Sequence, residues 1–229
     1  MKRSTLIFAL FIILLALSVV PVHASVSVEG TINESIYVVY NFQNLNSTVY
    51  DEVKNNPQFN MSTIPATIVK NLENQGRKQV AWGFGPQTEV IFNDAARTIQ
   101  VSFFLWGSDI IDSGVNQTAM KRTCQVKTNW RKFQFSLTSS FSLNFTQILA
   151  KPVAEWQKTN EHTFLYESQD ISFKFILPQT ATQVQAQEDI ITFEAGSLSF
   201  WDIFLNSPFP ILAALTIVVI ITLIYRKVR

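Results

Sequence analysis

Two apolar runs enclose a chain whose middle alternates. Leu6 to Val20 carries no charge and follows Lys2 and Arg3. Phe209 to Tyr225 carries none either and is followed by Arg226, Lys227 and Arg229. Between them the hydrophobic period changes several times. Val26, Val28 and Ile32 roughly alternate with polar residues, and Ile36 to Phe42 is β-branched and aromatic, which predicts two strands. Asn46, Ser47 and Thr48 offer caps for a short helix through Lys54, ended by Pro57. Ser62 or Thr63 caps a second helix, with Pro65 in its first turn, Ile68, Val69 and Leu72 on one face and Gly76 just past its end.

From Val80 the period is two. Val80 to Phe84, Thr88 to Phe92 and Thr98 to Trp106 read as strands, the last two joined by a turn at Asn93, Asp94 and Ala95. Asp109 to Gly114 reads as a loop. Cys124 to Thr128 and Lys132 to Leu137 predict a second hairpin, with Phe133, Phe135 and Leu137 on one face and the same pattern repeated by Phe141, Leu143 and Phe145. Phe145 to Trp156 reads as a helix limited by Pro152. Thr163 to Tyr166, Ile171 to Leu177 and Asp189 to Glu194 complete the set. Strands and helices that do not interleave regularly predict an α+β fold. The expectation is a single exported domain of mostly antiparallel β-sheet with two or three helices, plus one C-terminal transmembrane helix.

The terminal runs set the frame. Residues 209–225 leave no polar face, so an amphipathic core helix does not fit them. As a helix they are about 25 Å long, near the lower limit for crossing a hydrocarbon core. Trp201, Phe204, Phe209 and Tyr225 suit the interfacial aromatic belts, and the basic cluster places the C-terminus on the cytoplasmic side. The basic start, the apolar middle and the Val22-His23-Ala24 ending of the first run read as a signal peptide cut after Ala24. An uncleaved anchor is the alternative. The expected organisation is a leader over 1–24, an extracytoplasmic domain over 25–206, a transmembrane helix over 207–225 and a cytoplasmic tail over 226–229. That makes a single-pass protein of the plasma membrane with its N-terminal domain outside.

Ser207, Pro208, Phe209 and Pro210, the hydrophobic stretch and the terminal basic cluster resemble the C-terminal sorting tails of archaeal and bacterial surface proteins. In those proteins a membrane protease removes the tail and another anchor replaces it. The glycine and glutamate of the familiar tripeptides are missing here, so permanent anchoring remains the main reading.

Composition narrows the chemistry. Nineteen phenylalanines and five tryptophans belong to a chain that folds on a core. Cys124 is the only cysteine, which excludes an intrachain disulfide and points to an archaeal or bacterial envelope. It reads either as a buried small hydrophobe or as an intermolecular bridge. His162 is the only histidine outside the leader, so His/Cys zinc and haem sites of the usual kinds are excluded. No G-x-S-x-G element accompanies it to make a Ser-His-Asp triad. No cofactor is implied. Asp109 and Asp112, near Trp106, are the carboxylate pair a glycosidase would need; a solvated loop is the plainer account of them.

Charge is unevenly spread. Residues 115–154 hold six bases and no acid, while residues 155–202 hold eight acids and two bases. Lys121, Arg122, Lys127, Trp130, Arg131 and Lys132 are therefore candidates for a basic face that binds anionic lipid or an acidic surface polymer. The alternative is that basic strands pair with acidic neighbours in the sheet. Outside the cell, nucleic acid is not the expected partner. Asn33, Asn46, Asn60, Asn116 and Asn144 each begin an Asn-x-Ser/Thr triplet and are candidate glycosylation sites. The expected role is a non-enzymatic binding, adhesion or envelope ectodomain. The alternatives are an accessory single-pass subunit with a protein partner in the membrane and a carboxylate-dependent hydrolase of surface glycan.

Overall fold

The computed structural model describes residues 24–197, apart from Gln117, Ala119 and Ser140, together with Thr216. Apart from Ala24 and Thr216, the leader and transmembrane readings fall on residues outside this set; among the described residues no helix is long and apolar enough to cross a membrane.

The order of elements is β1 (Ser25–Ile32), β2 (Ile36–Gln43), α1 (Ser47–Lys54), α2 (Thr63–Asn74), β3 (Ala81–Gly83), β4 (Val90–Asn93), β5 (Thr98–Trp106), β6 (Ile111–Asn116), β7 (Lys121–Lys127), β8 (Gln134–Ser136), β9 (Ser142–Asn144), α3 (Phe145–Ile148), β10 (Gln157–Asn160), β11 (Thr163–Ser168), β12 (Ile171–Ile176), β13 (Ala181–Gln187) and β14 (Ile190–Ser197). Short 3-10 turns cover Thr128–Arg131 and Val153–Glu155. The result is an α+β domain of mostly antiparallel sheet with three helices.

Eight strands form the large sheet in the order β10-β11-β12-β1-β2-β5-β3, with β4 also on β5. Every pairing in it is antiparallel except β1 with β12. A four-stranded sheet runs β13-β14-β7-β6, and β8 pairs β9 in a small hairpin.

Strict alternation fixes which face is buried. Val26, Val28 and Ile32 of β1, Ile36, Val38, Tyr40 and Phe42 of β2, Ile99, Val101, Phe103 and Leu105 of β5, and Phe173 and Phe175 of β12 all point into one core. Both longer helices add to that core, α1 with Val49, Tyr50 and Val53 and α2 with Ile64, Pro65, Ile68 and Leu72. The rings of Tyr40, Phe42, Phe103, Phe133 and Phe145 pack within 5.1–6.4 Å of their neighbours under β2 and β5. Trp130 and Trp156 cover Phe173 and Phe175 at 5.5–5.8 Å. The helices thus close one face of the large sheet.

Local signals act as their chemistry suggests. The Asn46 carboxamide caps α1 by accepting from Val49 N at 2.8 Å, which satisfies one of the orphan donors of the first turn. α2 ends in a Schellman pattern, with Arg77 N on Leu72 O at 3.0 Å and Gly76 N on Glu73 O at 2.9 Å and Gly76 at φ +83°. Ser62 precedes α2 without capping it; its hydroxyl donates instead to Asn60 Oδ1 at 2.6 Å.

Elsewhere the fold departs from the sequence reading. Residues 111–116 are the edge strand β6, not a loop; none of its residues is buried, so no apolar alternation marks it. Residues 124–128 and 132–137 do not pair. β7 sits between β6 and β14, and β8 pairs β9, because the 3-10 turn at Thr128–Arg131 carries the chain from one sheet to the core hairpin. The helix read over 145–156 is confined to Phe145–Ile148. β10 and β13 carry no apolar pattern in the sequence; both are polar edge strands.

Tyr40 is fully buried and its hydroxyl has no hydrogen-bond partner. Burial alone pushes its pKa well above the ordinary value. A desolvated, unpaired hydroxyl is a liability of about 1–3 kcal/mol. Tyr40→Phe is therefore expected to leave stability unchanged or raise it by about 1 kcal/mol, read from urea unfolding; a loss larger than that would mean the hydroxyl has a partner.

Candidate functional site

The basic stretch is built on β7, the 3-10 turn that follows it and the start of the β8 hairpin. Trp130 and Arg131 lie on that turn with no exposed surface, so the expectation that they belong to an open anion-binding face is corrected. The turn buries them because it stacks on β12 and on Trp156: the Arg131 guanidinium lies 5.0 Å from the Trp156 ring centre. The four lysine and arginine residues that keep some exposure are each met by a carboxylate. Lys132 reaches Asp189 at 2.6 Å, Lys127 reaches Asp109 at 3.6 Å, Lys121 reaches Glu194 at 3.4 Å and Arg122 reaches Glu34 at 3.1 Å. The basic segment is thus interleaved with the acidic ones rather than set apart from them.

Asp189 is the residue around which this region is assembled. It sits in the turn between β13 and β14. One oxygen accepts from Arg131 at 2.8 Å and from Val153 N at 3.2 Å, and the other accepts from Lys132 at 2.6 Å. The Asp189 carbonyl accepts from Thr128 N at 2.8 Å. Arg131 also donates to Lys151 O at 2.9 Å and to Thr128 O at 3.2 Å, leaving its Nε without a partner. Burial alone would raise the Asp189 carboxyl, but the bonds from Lys132 and Arg131 outweigh it and hold it below the ordinary 3.8. The three bonds staple the β13–β14 turn to the two 3-10 turns. No local signal in the sequence marks this, since Arg131 and Asp189 are 58 positions apart.

Asp109 accepts from Gln79 N at 3.0 Å and faces Lys127. The bond from Gln79 is the largest influence that lowers its pKa below 3.8, followed by Lys127. A carboxyl so held stays ionised at neutral pH and is a poor proton donor. Asp112 lies exposed on β6. The His162 ring nitrogen Nε2 is 3.0 Å from Ala181 O. Among the described residues no group of three or more His, Cys, Asp or Glu side chains could hold a metal ion.

Cys124 is 9% exposed on β7 and burial raises its thiol pKa. A buried neutral thiol reacts slowly. Thiol reagents are expected to label Cys124 only as the protein unfolds, and non-reducing electrophoresis to show no disulfide-linked dimer. Rapid labelling of the folded chain would contradict this placement.

The five sequon asparagines divide by environment. Asn33, Asn46 and Asn60 are exposed. Asn144 is half-buried, its oxygen accepting from Gln147 N at 3.3 Å. Asn116 is also half-buried, and its Nδ2 donates to the buried Glu194 at 3.0 Å. Asn144 precedes the buried Phe145 and follows the half-buried Leu143.

The outer face of the large sheet carries the exposed aromatic residues. Thr31, Tyr37, Phe104 and Gly83 stand side by side across β1, β2, β5 and β3. Tyr37 and Phe104 rings are 5.0 Å apart. The Trp106 ring lies on the backbone of Gly83, where a Cβ would come within 2.6 Å of it, and the Phe104 ring lies likewise on Gly85 at 2.8 Å. Trp106 remains 41% and Phe84 49% exposed. In the sequence the strand Thr98–Trp106 was legible, but not that its outward rings are seated on glycines of the edge strand and the loop after it.

No family model, no curated protein and no solved structure matches this chain.

Proposed function

We propose that the protein is a single-pass, membrane-anchored ectodomain that acts at the cell surface by binding, adhesion or envelope structure rather than by catalysis. The observation that carries this reading is the asymmetry of the large sheet. Its inner face is closed by α1, α2 and the β8–β9 hairpin, while its outer face has Tyr37, Phe104 and Trp106 facing outwards. An open sheet face on a domain bracketed by an apolar leader and an apolar terminal run supports contact with something larger than the domain. Asp109, ion-paired with Lys127, is a poor fit to the proton donor that the glycan-hydrolase alternative needs.

Alkaline carbonate extraction of native membranes tests the anchor: the protein is expected to stay in the pellet, and release into the supernatant would refute it. Gel filtration in mild detergent tests the accessory-subunit alternative, which requires co-elution with a polytopic partner where the main reading requires a free chain.

Glycan attachment to the folded chain should favour Asn33, Asn46 and Asn60, whose side chains are exposed. Asn116 is expected to stay unmodified because its nitrogen is engaged by Glu194. Peptide masses decide this; occupancy at Asn116 equal to that at Asn33 would show the bond does not protect it.

A further inference from the structure

We infer that the aromatic corner of the large sheet, formed by Tyr37, Phe84, Phe104 and Trp106, rests against the lipid surface and orients the domain on its own membrane. The inference depends on the anchored reading above.

The first ground is where the chain leaves the domain. Ser197 ends β14 opposite Lys121 of β7, directly beside Met120, which is 47% exposed. Arg122 stands opposite Ala195 and ion-pairs with Glu34 in the turn between β1 and β2. Asn33, Glu34, Ala195 and Gly196 line a common cleft. Ile36 follows that turn and stands opposite Leu105, the neighbour of Trp106. The exit point and the aromatic corner therefore share one end of the molecule.

The second ground is reach. The eleven residues 198–208 separate the end of β14 from the uncharged run 209–225. Fully extended they span at most about 40 Å, comparable to the diameter of a domain of this size. The exit can therefore lie no farther from the bilayer than about one domain diameter.

The third ground is the gradient along the outer face. Next to the exit end it carries Tyr37, Phe104 and Trp106. At the opposite end its positions are Ser27, Asn41, Gln100 and Ser172. Between them Lys174 and Glu29 neutralise each other at 3.2 Å. Tryptophan and tyrosine favour the headgroup region, where an apolar ring and a polar edge are both accommodated. Seated on Gly83, Trp106 keeps 41% of its surface exposed, while Phe104, between Gly85 and Tyr37, is half-buried. A protein partner or a glycan would also be attracted to exposed rings. Neither accounts for their position at the tethered end.

The test uses the full-length protein carrying Trp201→Phe, to remove the tryptophan of the linker, in nanodiscs of neutral phosphatidylcholine with or without acyl chains brominated near the headgroup. Trp130 and Trp156 are buried, at 0% and 6% exposure, and stay dark to the quencher; Trp82, partly buried against the core on β3, accounts for the quenching that survives Trp106→Phe. Brominated lipid is expected to lower the tryptophan emission, and adding Trp106→Phe is expected to abolish most of that loss. Phe84→Ser, at an exposed position, should weaken the quenching while leaving the unfolding midpoint unchanged. A protein that remains in carbonate-washed membranes yet shows no quenching, or quenching untouched by Trp106→Phe, overturns the inference and leaves the anchor standing. A protein washed out by carbonate overturns both.

Discussion

Replacing Asp189 by alanine is expected to lower the unfolding free energy by about 3–5 kcal/mol, the range for removing one partner of a buried ion pair. The reason lies in what is left behind. Arg131 has no exposed surface and remains charged. Without Asp189 it keeps only carbonyl and hydroxyl acceptors, at 2.9–3.5 Å. Lys132 loses its 2.6 Å partner and Val153 N loses its acceptor in the same step. The double variant Arg131→Met, Asp189→Ala should recover much of the loss, since the uncompensated charge is then gone. Urea unfolding of the detergent-solubilised protein, followed by near-ultraviolet circular dichroism, measures both. An Asp189→Ala protein within about 1 kcal/mol of the parent would show that the pair is solvated after all.

The same carboxylate sets a pH dependence. Its folded pKa lies below the ordinary 3.8, so the folded state favours the ionised form. Its stabilisation is complete above that ordinary value and is lost as pH falls below it, through the folded pKa. The gap between parent and Asp189→Ala should therefore be constant near neutrality and close on acidification below about pH 4. At the alkaline end Tyr50 acts in the opposite sense. Burial, and then its bond to Asp94, raise it from 10.0 to about 12, so its contribution is present below pH 10 and lost as pH rises through 12.

The second large effect is expected at Gly107, where the chain leaves β5 and turns towards β6. Its φ is +114°, and a Cβ there would sit 2.2 Å from Gln79 O and 2.9 Å from the carbonyl carbon. Neither obstacle is a flexible side chain. Gln79 O is also the acceptor for Asp109 N at 3.1 Å, and the Gly107 carbonyl accepts from Ile110 N and Ile111 N at 2.9 and 2.8 Å. Gly107→Ala must either strain this bend or break it, and is expected to cost at least about 3 kcal/mol. Gly76→Ala is the internal control: φ is +83° but nothing lies within 4 Å of the added carbon, so only the left-handed backbone is penalised, by about 1 kcal/mol. Equal losses in the two variants would contradict the clash at Gly107.

What the sequence revealed and what it concealed divide by range. β1, β2, β5 and β12 were legible because their side chains alternate between a buried and a half-exposed face. α1 and α2 were legible because caps and stops are local: Asn46 at one start, Gly76 past the other end. β6, β10 and β13 were hidden because an edge strand with few apolar residues is held by its neighbour's hydrogen bonds rather than by its own burial. Gln157–Asn160 has all four residues exposed and pairs only with β11.

The candidate site shows the same division. Six bases without an acid look like a face when the chain is read in order. Five of them are instead neutralised by four acids, Glu34, Asp109, Asp189 and Glu194, each distant in sequence. Trp130 and Arg131 gave no sign of burial because an arginine is normally exposed; only Asp189 and the Trp156 ring make its burial tolerable. Exposed Trp106 was visible as the end of a strand, but its seat on Gly83 required the pairing of β3 with β5.

The measurement that bears most directly on the anchored ectodomain is the intact mass of the protein from its own membranes, combined with protease added to intact cells. The account predicts a chain from Ser25 to Arg229, with or without glycan, that external protease degrades. A chain that keeps Met1 and is untouched from outside would contradict it. A chain ending near Ser207 would replace permanent anchoring with the sorting-tail reading that Pro208 and Pro210 resemble.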